Sequence, residues 1–512
     1  MDVARQTHVS VRRNIVANYA GQIWPALIGL VFVPVYIRFM GIEAYGLIGV
    51  FALLQTWLAL LDLGMTPALS REMARFNGGG SDIQSIRDLL RSVEVIGCIA
   101  ASSIALAVWA SSAWLASHWL QVDEIPVDLA AQAFAIMGGV TGLRFVEDIY
   151  RASLIGLQRQ VILNVIVCIG ATVRAVGALL VLTRIAPTIT AFFIWQGVVS
   201  VAMVLALSAV VYGHLPRAGR GGHFSLASLR NVWMFAMGTL TLTVLGFVLS
   251  QADKFILTRL LTLKEFAYYS LAFSVAGAVR LLVQPVDQSI YPRLTALLAK
   301  NDHERLAATY HRGVQLSVVL LGSAAMFLAI FGEETLGVWT RDPELALHTY
   351  PIMAVLVSGM LLNGLLNGPF YLQMAAGWTG LLVKVNAVLV LVFVPVIYLL
   401  VKWFGALGGA ATWVIINLVY MVVVVPLMHR RLLQGEMSNW LVHDLAIPLA
   451  AALAILGAFR MIMPGTLGMT SLLMFLAGAG LTALIGSALA ASQVRREIVV
   501  RLTRGRTVAW SA

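Results

Sequence analysis

Residues 59–72 read "ALLDLGMTPALSRE" and close an apolar run that holds no charge between Glu43 and Asp62. A carboxylate, a glycine and a proline then break the run before Arg71 and Glu72. A bilayer core about 30 Å thick takes about 20 apolar residues per helix, so the run is long enough to cross one. The rest of the chain extends this reading. Of 512 residues, 60% are hydrophobic and 12% charged, against about 25% charged in soluble domains. The mean hydropathy is +0.87. The expectation is an all-α integral membrane protein with about 14 transmembrane helices, starting near residues 14, 44, 88, 129, 161, 190, 231, 266, 310, 347, 380, 408, 442 and 470.

Charge orients these spans. With the amino terminus inside, the outer segments hold Arg38, Arg184, Arg259, Lys264, Arg341, Lys402 and Arg460, and most other Lys and Arg residues fall inside. The outer loops "QVDEIPVD" (121–128) and "EETLGVWTRDPE" (333–344) are acidic. An even number of spans puts both basic termini on the cytoplasmic side. The net charge of +11 then reflects basic inner loops, and no nucleic-acid partner is expected. The start, "MDVARQTHVSVRRN", leads into a full-length span without a small-residue cleavage site and reads as retained. Cys98 and Cys168 lie in apolar runs and read as buried thiols, with no disulfide, metal or cofactor implied.

The opening motif has a counterpart. "VQPVDQSIYPRLTALLAKN" (283–301) places Asp287 five residues before Pro292, as Asp62 stands five before Pro67. Upstream, "YIRFMGIEAYGLIG" (36–49) faces "LTRLLTLKEFAYYSLA" (257–272). The shared order indicates an internal duplication, and two copies that both start inside are parallel repeats. The expected organisation is a first lobe of six helices (1–213), a cytoplasmic linker (214–230), a second six-helix lobe (231–431), and helices thirteen and fourteen with a basic tail (432–512). The Gly-, Pro- and Arg-rich linker could lie on the inner membrane surface. Asp62 and Asp287 read either as organisers of a bent helix end or as gating groups.

The stretches 33–76 and 250–294 resemble the starts of the two lobes in bacterial polysaccharide flippases of the multidrug/oligosaccharidyl-lipid/polysaccharide exporter superfamily. The resemblance implies a V-shaped transporter of two six-helix lobes plus two C-terminal helices. It also implies a function: moving an undecaprenyl-pyrophosphate-linked oligosaccharide across the bacterial inner membrane by alternating access, for cell-surface polysaccharide biosynthesis. A lipid-linked oligosaccharide, membrane lipid, and a polysaccharide polymerase with its co-polymerase are the implied partners. The drug-exporter branch carries an acidic cation site in its first helix. Helix one here has no carboxylate.

An anionic pyrophosphate needs cations at membrane depth, where each charge costs about 2.5–3.5 kcal/mol on insertion scales. The candidates for a cationic cavity are Arg280, Arg174, Arg144, Arg151 and Lys254. Arg280 and Arg174 have no acidic neighbour within a turn. Arg144, Glu147, Asp148 and Arg151 share one helix face, and the pairs Arg144–Asp148 and Glu147–Arg151 are spaced to neutralise one another. That face is a self-compensated cluster or a place where pyrophosphate competes for the arginines. Candidate gating or coupling residues are Asp253, Asp62, Asp287, Asn363 and Asn367. Gly368–Pro369 beside the two asparagines predicts a kink, either a binding-site hinge or a structural bend. Competing classes are an ion-coupled drug or metabolite antiporter, a membrane polymerase or ligase, and a scaffold. An enzyme would need a large outer loop with catalytic groups, which the short outer segments do not offer. No GxxxxGK[ST] motif for ATP occurs.

Overall fold

A computed structural model describes residues 11–497 and 500, except 63, 81, 217–219 and 466. The terminal Arg5, Arg501, Arg504 and Arg506, and Arg217 of the linker, lie outside the described residues. Among the described residues the regular structure is helical, apart from one isolated bridge between Gln121 and Thr262. Eleven helices among the described residues are long and apolar enough to cross a membrane, or twelve if one bent pair is a single span. The longest, Gly380–Leu432, has 53 residues. At 1.5 Å per residue it would run to about 80 Å, far beyond one crossing. Gly405 breaks it with φ 57°, and the chain folds back so tightly that Gly408 abuts the Leu400 carbonyl. It therefore makes two spans. With a further 35-residue helix at Leu226–Leu260, the architecture agrees with about fourteen spans.

The chain forms two compact units, Met1–Ala267 and Tyr268–Ala512. The first contains α1 (Val11–Met40), α2 (Ile42–Leu58), α3 (Met65–Asn77), α4 (Ile83–Trp114), α5 (Val127–Gly156), α6 (Gln160–Arg184), α7 (Ile189–His214) and α8 (Leu226–Leu260). The division thus falls beyond the 214–230 segment, because α8 packs on α2, α3 and α4. The described part of the linker is bonded to α4. Arg87 donates to the Pro216 carbonyl (3.0 Å), the His223 amide donates to Asp88 (2.8 Å), and the Ser225 amide donates to Ser92 (2.8 Å), which pins the segment to the start of α4.

Small residues set the helix spacing, as expected where lipid offers no hydrophobic drive between helices. A Cβ on Gly142 would lie 2.6 Å from the Ala101 carbonyl oxygen, so α4 and α5 meet backbone to backbone here. The opening motif resolves into a helix break. α2 tightens into a 3-10 turn at Ala59–Asp62, Gly64 takes φ 81°, and α3 starts at Met65. Asp62 accepts from the Thr66 amide (3.1 Å) and hydroxyl. Pro67 sits in the first turn of α3, where its missing N–H leaves no helical bond unmade.

The second unit repeats this device. It contains α9 (Leu263–Ala278, whose start belongs to the first unit), α10 (Gln284–Ala299), α11 (His303–Ser317), α12 (Ser323–Thr340), α13 (Pro343–Leu365), α14 (Asn367–Ala375), α15 (Gly380–Val419), α16 (Val425–Leu432), the short α17 (Met437–Asn439), α18 (Ile447–Ile462) and α19 (Met469–Ala490). α9 ends in a 3-10 turn at Val279–Leu282, and α10 leaves at 46° with Pro285 in its first turn. The 3-10 turns start at Ala59 and Val279, 220 residues apart, and the next helices at Met65 and Gln284, 219 apart. The duplication stands in the elements, but Asp62 and Asp287, 225 apart, are not equivalent. Asp62 precedes its break and Asp287 follows it. The Asp–Pro spacing misled because Gly64 and Pro285, not the matched prolines, mark the breaks.

Helices α18 and α19 pack on α12 through Phe331, Leu456, Leu476, Ala479 and Ala483. Buried Asp444 bonds His311 and accepts from Gln315 (2.8 Å), fastening one end to α11. Arg460 pairs with Glu334 at the other. Cys98 is exposed and Cys168 half-buried, contrary to the expectation of buried thiols. Their apolar surroundings face outward with Ile99 (61% exposed) and Leu106 (63%), a surface suited to lipid contact.

Candidate functional site in the first unit

Four charges on α5 recur at i, i+3, i+4 and i+7 and therefore share a face. In the structure, helices α1, α2, α6 and α7 enclose that face with a cavity of about 640 Å³. Pockets of about 300–1,000 Å³ are the usual size for small-molecule sites. Arg144, Glu147, Asp148 and Arg151 line it from α5 and Arg174 from α6. Tyr36, Phe51, Phe145 and Phe192 supply aromatic walls, and Gln55 and Gln196 supply amides.

Glu147 is the hub. It is 2% exposed. Its Oε1 accepts from Arg151 Nη2 at 2.6 Å and Nε at 3.0 Å, and its Oε2 accepts from Arg174 Nη2 at 3.0 Å. Arg174, which lacks a partner on its own helix, finds one across the α5–α6 contact. A buried carboxylate with both oxygens taken by guanidinium groups satisfies the rule that charges in low dielectric are paired.

The expected Arg144–Asp148 pair does not form. Arg144 Nη1 instead donates to Gln55 Oε1 at 2.7 Å, and Nη2 donates to Gln196 Oε1 at 3.4 Å. Its guanidinium carbon lies 5.1 Å from the centroid of the Phe51 ring. Asp148 is 63% exposed and comes no nearer than 3.9 Å to Arg151 Nε. The i,i+4 rule applies to an isolated helix, whereas here α2 and α7 present closer acceptors to Arg144. Three cations against two carboxylates leave the cavity wall with one surplus positive charge.

Lys254 is on α8 and outside this cavity lining. It lies 3.7 Å from Asp253 and donates to the Ser250 carbonyl at 3.2 Å. Asp253 is 2% exposed. Arg280 belongs to the second unit and is exposed on the 3-10 turn after α9. In that unit Asn367 donates to Asp287 (2.7 Å) and Asn363 to Asn417 (3.0 Å). The kink expected there is a break at Leu366, and it sends the two asparagines to different helices. Sequence reading passed over Gln55 and Gln196. Both are lone amides within apolar runs, "FALLQTW" and "FFIWQGV", a signal as legible as an isolated arginine.

Residues 11–298 match the family profile described as "Polysaccharide biosynthesis protein". The chain is 20% identical over 406 residues to a Shigella flexneri protein named for a proposed role in O-antigen transport, covering 79% of this chain and 94% of that one. Two solved structures are similar. A lipid II flippase MurJ in an inward closed conformation has a TM-score of 0.69 and 13% identity, covering 95% of this chain and 99% of that one. An inward-facing multidrug resistance MATE family transporter of the MOP superfamily has a TM-score of 0.62 and 13% identity, covering 82% and 94%. At these identities the structures establish a shared fold.

Proposed function

The chain belongs to the polysaccharide biosynthesis protein family, is a multi-pass membrane protein, and on that premise we propose that it flips an undecaprenyl-pyrophosphate-linked oligosaccharide from the inner to the outer leaflet. It works by alternating access, as a transporter rather than an enzyme, in the bacterial inner membrane with both termini cytoplasmic. A polysaccharide polymerase and its co-polymerase act downstream on the delivered glycan.

One observation carries this reading. Three arginines line a cavity within a helical bundle of membrane-spanning length; two share the buried carboxylate of Glu147, and Arg144 is held by amide oxygens. A diphosphate offers the same acceptor geometry as Glu147 with more charge, and bidentate guanidinium–phosphate contacts suit it. The aromatic walls give apolar faces against which sugar rings stack. The antiporter alternative draws on the shared fold, but α1 carries no carboxylate to bind a coupling cation.

The test is translocation of a fluorescent undecaprenyl-pyrophosphate oligosaccharide in liposomes holding the purified chain. Wild type is expected to move the lipid to the opposite leaflet. Arg174→Gln is expected to slow it about ten- to a hundredfold, the equivalent of one lost charge-assisted contact. Absence of wild-type movement with several glycans and imposed ion gradients would exclude the flippase.

A further inference from the structure

Two donors in the wall of the first-unit cavity have no acceptor. Arg144 Nε and Gln55 Nε2 are both buried from solvent and make no hydrogen bond. They belong to side chains already joined to one another, Nη1 of Arg144 to Oε1 of Gln55. Native proteins rarely leave buried donors unpaired, and adjacent orphans in a cavity mark a place built for an acceptor-rich ligand. Charge separates this spot from the rest of the cavity. Arg151 and Arg174 share Glu147, whereas Arg144 is held by two amide oxygens and an aromatic ring, none of which cancels its charge.

We propose that Gln55 and Gln196 are specificity-determining residues: they hold Arg144 with neutral oxygens so that it keeps its full charge for the ligand, and a turn of the two side chains brings the unpaired Gln55 Nε2 and Arg144 Nε, covered at rest, onto oxygens of its diphosphate. This rests on the flippase reading and deepens it by naming the part of the substrate that docks here. The two carboxylates of the cavity do not defeat the arrangement. Glu147 is engaged on both oxygens by Arg151 and Arg174, and Asp148, though it lines the cavity, still leaves the five groups with one net positive charge. A sugar hydroxyl would use the same two donors but has no need of an uncancelled cation.

The isosteric change Gln55→Glu separates this role from a structural one. A glutamate still accepts from Arg144, so a residue that only anchors Arg144 would be improved by it. The same change cancels the charge of Arg144 and removes the Nε2 donor. The full chain in nanodiscs is titrated with farnesyl diphosphate and with farnesol, and thermal unfolding is followed in parallel. Gln55→Glu is expected to bind farnesyl diphosphate about ten- to a hundredfold more weakly, with farnesol binding and unfolding temperature held at the wild-type level. Gln196→Glu is expected to act in the same direction and serves if the first variant does not fold. Wild-type affinity for farnesyl diphosphate in the folded glutamate variants would overturn the inference and leave the flippase reading standing. A wild-type protein that does not prefer farnesyl diphosphate to farnesol would overturn both.

Discussion

Glu147 decides how the cavity is charged. Its two oxygens serve arginines from two helices, and it is almost fully buried. Removing one member of a buried pair leaves the others uncompensated and costs about 3–5 kcal/mol; Arg151 and Arg174 retain 36% and 15% exposure, so part of that is screened. Glu147→Gln is expected to destabilise the protein by roughly 2–4 kcal/mol. Adding Arg174→Gln should recover part of this. A double-mutant cycle from denaturation in detergent would give a coupling energy above about 1 kcal/mol if the contact acts as described, and near zero if it does not. The i,i+4 spacing offered Arg151 as a partner, but nothing in the sequence joined Arg174 to Glu147. The α5 spacing favoured Arg144–Asp148 as much as Glu147–Arg151, and only the second pair forms.

Among elements, the loop between α4 and α5 is organised by a residue far away in the chain. Glu43, at the start of α2 and 1% exposed, accepts from the amides of Asp123 (2.7 Å), Glu124 (2.7 Å) and Ile125 (3.0 Å). The same loop meets the α8–α9 turn, where the Leu263 amide donates to the Gln121 carbonyl (2.8 Å) and Lys264 pairs with Glu124 (3.1 Å). Three backbone amides on one buried carboxylate form an anchor whose loss leaves all three without that acceptor. Glu43→Ala is expected to cost roughly 2–4 kcal/mol, on the scale of charged hydrogen bonds. It should also raise hydrogen exchange at Asp123–Ile125 selectively. Unchanged protection there would show that the loop is held by other contacts. Only an acidic outer segment was legible beforehand, because a carboxylate at the head of a span looks the same whether it faces water or caps a loop.

At the scale of the molecule, the spans and the duplication were open to direct reading, since hydropathy and helix length are properties of consecutive residues. The side of the membrane on which each loop lies is an expectation from basic-residue bias and is open to test. In a chain with Cys98→Ser and Cys168→Ser, a membrane-impermeant maleimide applied from outside is expected to label Asp128→Cys and spare His223→Cys. Both positions are exposed in the structure. The reverse pattern would invert the topology and with it the direction of transport.

The amino-acid sequence by itself determined the membrane class, the approximate number and place of the helices, the existence of an internal repeat and the presence of costly charges at depth. Each depends on local composition and period. Tertiary structure alone decided that Arg174 and Arg151 share Glu147, that Arg144 turns to Gln55 and Gln196, that the linker is pinned to α4, and that Asp62 and Asp287 are not counterparts. Those outcomes depend on how helices distant in sequence are rotated and packed against one another. A guanidinium bonds whichever acceptor that packing brings within about 3 Å, regardless of its separation along the chain.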